Sequence, residues 1–410
     1  MTSFAPIPTP QSVVAGMDTH SATHHVAVLD GATGAVLGTR EVAATRQGYA
    51  LALEYATSFG SVTRWGIEGT NSYGAGVTRH LREAGQVVRE VIRPNRAERR
   101  LRGKSDPLDA ITAARAVLAD LDRLPIPKDS AGPVESIRVL NLSRDSAVRA
   151  RAKVLQQIAM ILVSAPAVLR EKLQCLSEKA LLARLIACRP GLDPRRGVET
   201  ATMISLRALA RRHVHLSQEI DEVTSLLGTL VEQTAPALLA AKGVGVVTAS
   251  QLLITAGDNP HRIRNKAAFA AITGVAPIPA SSGKTNRVRL NRGGDRRANK
   301  AIHIIALVRL SCDERTKAYI AKKKAEGKTP LEALRCLKRA IANEIYRLLT
   351  NPPAVPDITD LRPTRQARGL SLQNVADHFA VWPTRISTIE RGTRRDDTLA
   401  QAYREWLTAA

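Results

Sequence analysis

Three short apolar runs lie near the start of the chain: VVAGMD, HHVAVLD and AVLGTREV. Polar or glycine-containing turns separate them, so each reads as a strand. A helical pattern follows over 47–58, then a strand VTRWGIE, a helix over 73–84 and a strand QVVREVI. A further helix is predicted over 107–118, with Pro107 in the first turn, where a missing N–H costs nothing. Three strands followed by strand–helix alternation predict a mixed sheet with helices packed on it.

The rest of the pattern is helical. Within 134–232, Leu206, Leu209, His213, Leu216, Ile220, Val223, Leu227 and Leu230 keep a 3-4-3-4 spacing. A sustained 3.5-residue period predicts a coiled-coil seam, within or between chains, in which His213 sets the register. Residues 236–348 read as helices interrupted by a glycine-rich basic stretch. NPPAVPDITD within 349–360 reads as a linker, and 361–407 as a small helical unit.

The fold class expected is therefore α/β followed by all-α. The divisions are a flexible proline-rich tail over 1–12, an α/β domain over 13–125, a coiled-coil region over 134–232, a helical domain over 236–348, a linker and a terminal unit.

Charge changes this picture most. Lysine plus arginine number 60 against 37 acids, a formal net charge of +23, which favours a polyanionic partner, nucleic acid first. Aromatic residues are only 3%, too few for a protein built mainly on base-stacking platforms. Cys175, Cys188, Cys312 and Cys336 form no C-x-x-C pair and read as reduced thiols of a cytoplasmic protein. No apolar run approaches the ~18 residues of a membrane span, and the tail lacks the layout of a signal peptide.

Four carboxylates form the first chemical candidate. Asp18 closes the first strand in VVAGMDTH, and Glu68 closes a later one in RWGIEGTNSYG. Asp106 and Asp109 in GKSDPLDA stand three apart at a helix start and can share one face. Acids so placed can converge on hard cations. Two Mg²⁺ ions about 4 Å apart would clamp the attacking and leaving oxygens of a phosphodiester. Taken singly, each acid has a plainer role: Asp18 in a turn, Asp106 as a cap, Asp109 favouring the helix dipole. Taken together, their order and placement resemble an RNase H-like nuclease of the RuvC type.

Basic residues surround the acids and recur later. RPNRAERRLRGK supplies Arg93, Arg96, Arg99, Arg100, Arg102 and Lys104, a candidate phosphate track beside the acid pair. Gly243 and Gly245 in AKGVGVVTAS suit either a phosphate-holding turn between helices or a tight packing turn. After FAAITGVAP come Ser281, Ser282 and Gly283. Lys284, Arg287, Arg289, Arg292, Arg296, Arg297 and Lys300 follow against one acid, Asp295. Composition alone describes a flexible basic loop, because a serine hydroxyl is a weak nucleophile unless activated.

In order, GMDTH, GIEGTNSYG, GKSDPLDA, KGVGVVTA, FAAITGVAP and SSGK with its basic continuation resemble the DEDD transposases of the "IS one-ten" insertion sequences, the bridge-RNA-guided serine recombinases. The resemblance covers about 13–348. It implies that Asp18, Glu68, Asp106 and Asp109 bind divalent metal, with two Mg²⁺ ions expected. It implies that Ser282, the serine directly before a glycine, attacks DNA and becomes covalently linked, and that the coiled coil joins subunits. It further implies a structured guide RNA that pairs with donor and target DNA, the element's ends and its insertion site.

Residues 361–407 depart from that pattern and look like a Cro/repressor-type helix-turn-helix. Ser371 would cap its first helix, 384–390 would be the recognition helix, and Thr384, Arg385, Ser387 and Thr388 would meet DNA. The function expected is metal-dependent DNA strand exchange by a homo-oligomer in the cytoplasm, away from membranes. The rivals are a RuvC-like nuclease that uses water and a non-catalytic DNA-binding regulator.

Overall fold

The computed structural model describes residues 12–91, 105–191, 193, 195, 197–280, 288–289, 291, 293–392 and 396–409. The chain divides into two compact units. One takes the described residues up to Glu135 together with Ala256–Arg264; the other takes Ser136–Thr255 and those from Asn265 onward.

The first unit is a five-stranded mixed sheet in the order β3-β2-β1-β4-β5. Its strands are β1 (Ser12–Thr19), β2 (Thr23–Asp30), β3 (Val36–Ala43), β4 (Ser61–Glu68) and β5 (Val88–Val91). β1 pairs antiparallel with β2 and parallel with β4; β2–β3 is antiparallel and β4–β5 parallel. Helices α1 (Arg46–Thr57), α2 (Ala75–Glu83) and α3 (Asp106–Ala119) complete it. This is the mixed sheet that the pattern predicts, and it fits the RNase H-like expectation.

Both faces of the sheet are buried, which explains why its central strands read as apolar runs rather than alternating ones. Val13, Ala15, Met17, Trp65 and Ile67 pack on one face with Ala52 and Ala56 of α1 and Val77 and Leu81 of α2. Val14, Ala27 and Leu29 pack on the other with Ala110, Ala113, Ala114 and Val117 of α3. Gly16 and Gly66 are register partners on the α3 face. A Cβ on Gly16 would come within 2.2 Å of the Ala114 amide nitrogen, and one on Gly66 within 2.3 Å of the Ala113 carbonyl oxygen. The two glycines therefore let the helix backbone lie directly on the strands, which fixes where its N-terminus falls.

Residues from 256–264 join this unit through polar contacts with residues 127–134. Asp258 Oδ1 accepts from the Val134 amide (2.8 Å), Asn259 Oδ1 accepts from the Asp129 amide (3.0 Å), and Asn259 Nδ2 donates to the Pro127 carbonyl (3.0 Å).

The second unit is helical. Two long helices, α4 (Pro133–Ser164) and α7 (Val198–Thr234), run 32 and 37 residues, about 48 and 55 Å at 1.5 Å per residue. Shorter α5 (Ala167–Gln174) and α6 (Glu178–Ala187) lie between them in sequence. Arg144 Nε donates to Thr224 Oγ1 (2.8 Å) and Arg151 Nη1 to Ser217 Oγ (3.2 Å). One series rises as the other falls, so the helices are antiparallel. Ala147, Val154, Ile158 and Leu162 share a core with Leu206, Ala210, Leu216 and Ile220. The seam side of α7 thus has an intrachain partner. Of the seam positions, Leu206, Leu216, Ile220 and Leu227 are buried, while Leu209, His213, Val223 and Leu230 are half-buried. Burial, with Arg151 nearby, lowers the His213 pKa.

Next come α8 (Pro236–Ala240), α9 (Val246–Ala256), α10 (Lys266–Ile272), the short strands β6 (Ile278–Pro279) and β7 (Val288–Arg289), α11 (Arg296–Cys312), α12 (Glu314–Ala325) and α13 (Pro330–Thr350). α13 packs against α10, α11 and α12. Four final helices, α14 (Leu361–Ala367), α15 (Leu372–His378), α16 (Pro383–Glu390) and α17 (Asp397–Ala409), share their own core, including Val375, Ala376, Ile386, Ile389 and Tyr403. Ser371 caps α15 by accepting from the Asn374 amide. The four cysteines are free. Among the described residues, no helix is long and apolar enough to cross a membrane.

Candidate metal centre and nucleic-acid surface

Strand alternation puts Asp18 and Glu68 on the same sheet face as Gly16 and Gly66, the face that carries α3. Glu68 ends β4 and Asp18 is the last residue but one of the neighbouring parallel strand β1, whose final residue, Thr19, ties the two ends by donating its hydroxyl to the Glu68 carbonyl oxygen (2.9 Å). α3 starts with Asp106 and Asp109 in its first turn, where carboxylates suit the positive end of the helix dipole. Asp18, Glu68 and Asp109 are buried, and Asp106 is partly exposed.

Asp18 shows the strain in this arrangement. Its Oδ2 is buried without a hydrogen bond among the described residues. Burial raises its pKa; His20 opposes the rise, and the nearby Asp109 and Asp106 add to it. His20, in the turn after β1, has Nε2 3.8 Å from Asp18 Oδ2 and Nδ1 3.8 Å from Asp106 Oδ2. One ligand atom from each of Asp18, His20 and Asp106 lies within 4.8 Å of the others. Converging acids around a buried carboxylate oxygen fit a hard divalent cation, which favours oxygen ligands. In the sequence His20 is marked only by its place in GMDTH, two residues after Asp18, which by itself assigns it no role.

The basic candidates divide sharply. Arg93, Arg96, Arg99, Arg100, Arg102, Lys104, Ser281, Ser282, Lys284, Arg287 and Arg292 lie outside the described residues. Arg289 is exposed on β7, whose partner is β6; residues 281–287 connect the two in sequence. Asp295, the acid of that stretch, organises its exit. Its Oδ1 caps α11 by accepting from the Arg297 and Ala298 amides, and its Oδ2 accepts from the Thr255 hydroxyl (2.7 Å). Arg296 and Arg297 follow in the first turn of α11 and are exposed. Cations there oppose the helix dipole, a placement better suited to an anionic partner than to helix stability. Arg297 also lies 3.4 Å from Asp145.

Gly243 and Gly245 behave differently from each other. Gly243 has φ +78°, and a Cβ there would meet Arg309 Cγ at 3.0 Å. Arg309 Nε also donates to the Lys242 carbonyl (2.7 Å), so this turn has a packing role. Gly245 has open space around its Cα, but its amide donates to Thr248 Oγ1 (3.0 Å).

In the terminal helices, Thr384 is exposed, while Arg385, Ser387 and Thr388 are half-buried. Arg385 Nη2 donates to Asp396 Oδ2 (2.6 Å), and the Thr388 hydroxyl to the Arg385 carbonyl (2.8 Å). Trp382, just before α16, is 80% exposed.

Two family profiles match this chain. One, described as "Transposase" of the DEDD IS110 type, matches residues 15–165 and so takes in all four acids; the other, "Transposase IS116/IS110/IS902 family", matches 235–321. The chain belongs to the IS110/IS116/IS902 transposase family. Among curated relatives of this family, the insertion element IS900 uncharacterized 42 kDa protein of Mycobacterium paratuberculosis is 26% identical over 37% of this chain and 39% of its own length. The insertion element IS110 uncharacterized 43.6 kDa protein of Streptomyces coelicolor is 33% identical over 28% of each chain. The chain thus covers well under two thirds of either relative's length.

Proposed function

We propose that this protein is a DNA transposase that cuts and exchanges strands through a serine–DNA intermediate. The observation that carries the reading is the strand-end pair Asp18 and Glu68, with the helix-start pair Asp106 and Asp109 on the same sheet face. Family membership and the +23 charge support DNA as the substrate.

In this reading Asp18, Glu68, Asp106 and Asp109 hold divalent metal, two Mg²⁺ ions. Bound there, the metal supplies Lewis-acid stabilisation of charge building on a phosphodiester. Ser282 contributes the hydroxyl oxygen that bonds to phosphorus, and the bond to the neighbouring nucleotide breaks, its oxygen leaving with a proton. A second DNA hydroxyl later displaces the serine, which regains its proton. Arg289, Arg296 and Arg297 grip phosphate, together with the basic residues on either side of the serine. The family resemblance adds a structured guide RNA that selects donor and target DNA, and a homo-oligomer joined through the coiled-coil region. The terminal helices form a helix-turn-helix that binds DNA, and the reaction takes place in the cytoplasm.

Trapping on native element ends tests this. The full chain with Mg²⁺ should yield a protein–DNA adduct that survives denaturation. Ser282→Ala should abolish the adduct and reduce strand transfer by about 10³-fold or more. Full strand transfer by Ser282→Ala would refute the serine step, and acid-dependent cleavage without an adduct would favour hydrolysis by water.

A further inference from the structure

We propose that His20 is a metal ligand, which makes the centre a mixed nitrogen–oxygen site that prefers Mn²⁺-like ions over Mg²⁺ and Ca²⁺. The inference rests on the carboxylates being a metal centre.

His20 stands between two of the four acids rather than beside one. Its ring nitrogens face Asp18 Oδ2 and Asp106 Oδ2, each at 3.8 Å. That is too long for a hydrogen bond. Two ligands each about 2.1 Å from one ion stand roughly 3.0–4.2 Å apart, which spans this separation. The oxygen nearest its Nε2, Asp18 Oδ2, is the buried one that no described donor satisfies.

Each neighbouring histidine has one ring nitrogen or its ring face engaged elsewhere and its other nitrogen buried. His25 faces Asp18 across the β1–β2 ladder, but its Nε2 lies 3.5 Å from Glu41 Oε2. His24 is fully buried and stacks on Tyr49 at 5.6 Å. His20 alone of the three sits in the turn between β1 and β2, with 40% of its side chain exposed.

A ligating imidazole usually gives its second nitrogen's proton to a carboxylate, which fixes the ring. With an acid on each side of the ring, one nitrogen of His20 can take the ion while the other, 3.8 Å from its carboxylate oxygen, would need a small movement to donate to it. Imidazole raises affinity for transition ions more than for Mg²⁺ or Ca²⁺, which prefer oxygen.

The test uses the full chain without DNA. Pulsed electron paramagnetic resonance on the Mn²⁺-loaded protein should show coupling to a ¹⁴N nucleus, lost in His20→Ala. Calorimetry should show Mn²⁺ affinity falling roughly tenfold or more in His20→Ala, with Mg²⁺ affinity changing by less than about threefold. His20→Asn is the second variant should His20→Ala fold poorly: it should lose the same coupling, whereas a coupling that persists in it overturns the assignment. Mn²⁺ binding that Asp18→Asn removes, but that shows no nitrogen coupling and is unchanged in His20→Ala, overturns the His20 assignment and leaves the carboxylate centre standing. No divalent binding by the wild type overturns both.

Discussion

Asp18 and Glu390 are both carboxylates held inside a packed unit, with side chains 8% and 3% exposed, yet their surroundings are opposite. Glu390 is fully provided for. Its Oε1 accepts from Arg365 Nε (2.6 Å) and the Tyr403 hydroxyl (2.9 Å), and its Oε2 from Arg365 Nη2 (3.0 Å). Burial, with that hydrogen bond to Glu390, pushes the Tyr403 pKa upward and keeps the phenol a donor. Asp18 has a buried oxygen with no described donor, and two more acids close enough to raise its pKa. A buried charge is tolerable only when paired or bound to a cation. The Glu390 network closes on itself and holds helices together; the Asp18 cluster leaves a buried oxygen without a donor among the described residues, as a cation site would.

The widest separation between the two should come from Asp18→Asn. It should cut metal-dependent strand cleavage by about 10³-fold or more, the scale of losing one electrostatic stabiliser of a transition state. Metal-free thermal stability should hold or rise, because burial makes the charged form of Asp18 costly. The sign follows from its raised pKa. The native state holds this proton more tightly than the unfolded chain, so the Asp18 penalty applies above the folded pKa and is relieved as pH falls through it. A fall in metal-free melting temperature in Asp18→Asn would place Asp18 with Glu390 as a structural acid.

Glu390→Ala should do the reverse. Stranding the Arg365 guanidinium should cost the terminal helices about 3–5 kcal/mol. Hydrogen exchange over 358–407 should accelerate, while metal binding at the acids stays unchanged. Smaller again is Gly16→Ala, which forces a Cβ toward the Ala114 nitrogen and should cost about 1–3 kcal/mol while loosening the metal centre. Gly245→Ala, with open space at the added Cβ, should stay within about 0.5 kcal/mol of wild type in chemical denaturation.

Local signals account for what the sequence made legible. Acids at strand ends stand out because a charge closing an apolar run needs a reason; Glu68 ends its strand as its run predicts, and the strand expected to close at Asp18 runs one residue further, to Thr19. The helix expected over 107–118 runs Asp106–Ala119, and the one expected over 47–58 runs Arg46–Thr57. Ser371 and the apolar positions Val375, Ala376, Ile386 and Ile389 follow cap chemistry and helical spacing.

What stayed hidden is non-local. Gly16 and Gly66 look like ordinary strand residues until a helix lies on them. Asp258 and Asn259 belong with the sheet unit because they bond residues more than a hundred positions earlier, which no periodicity reveals. His20 gains meaning only once α3 brings Asp106 to its other side. Arg385 lies where a recognition helix would read bases, yet it is ion-paired with Asp396, a partner beyond the helix.

The most direct measurement is anomalous diffraction from crystals of the full chain soaked in Mn²⁺. Density is expected among Asp18, Glu68, Asp106 and Asp109, and absent from Asp18→Asn crystals. Manganese peaks confined to other surfaces, with those four carboxylates bare at saturating ion, would contradict the metal-centred account.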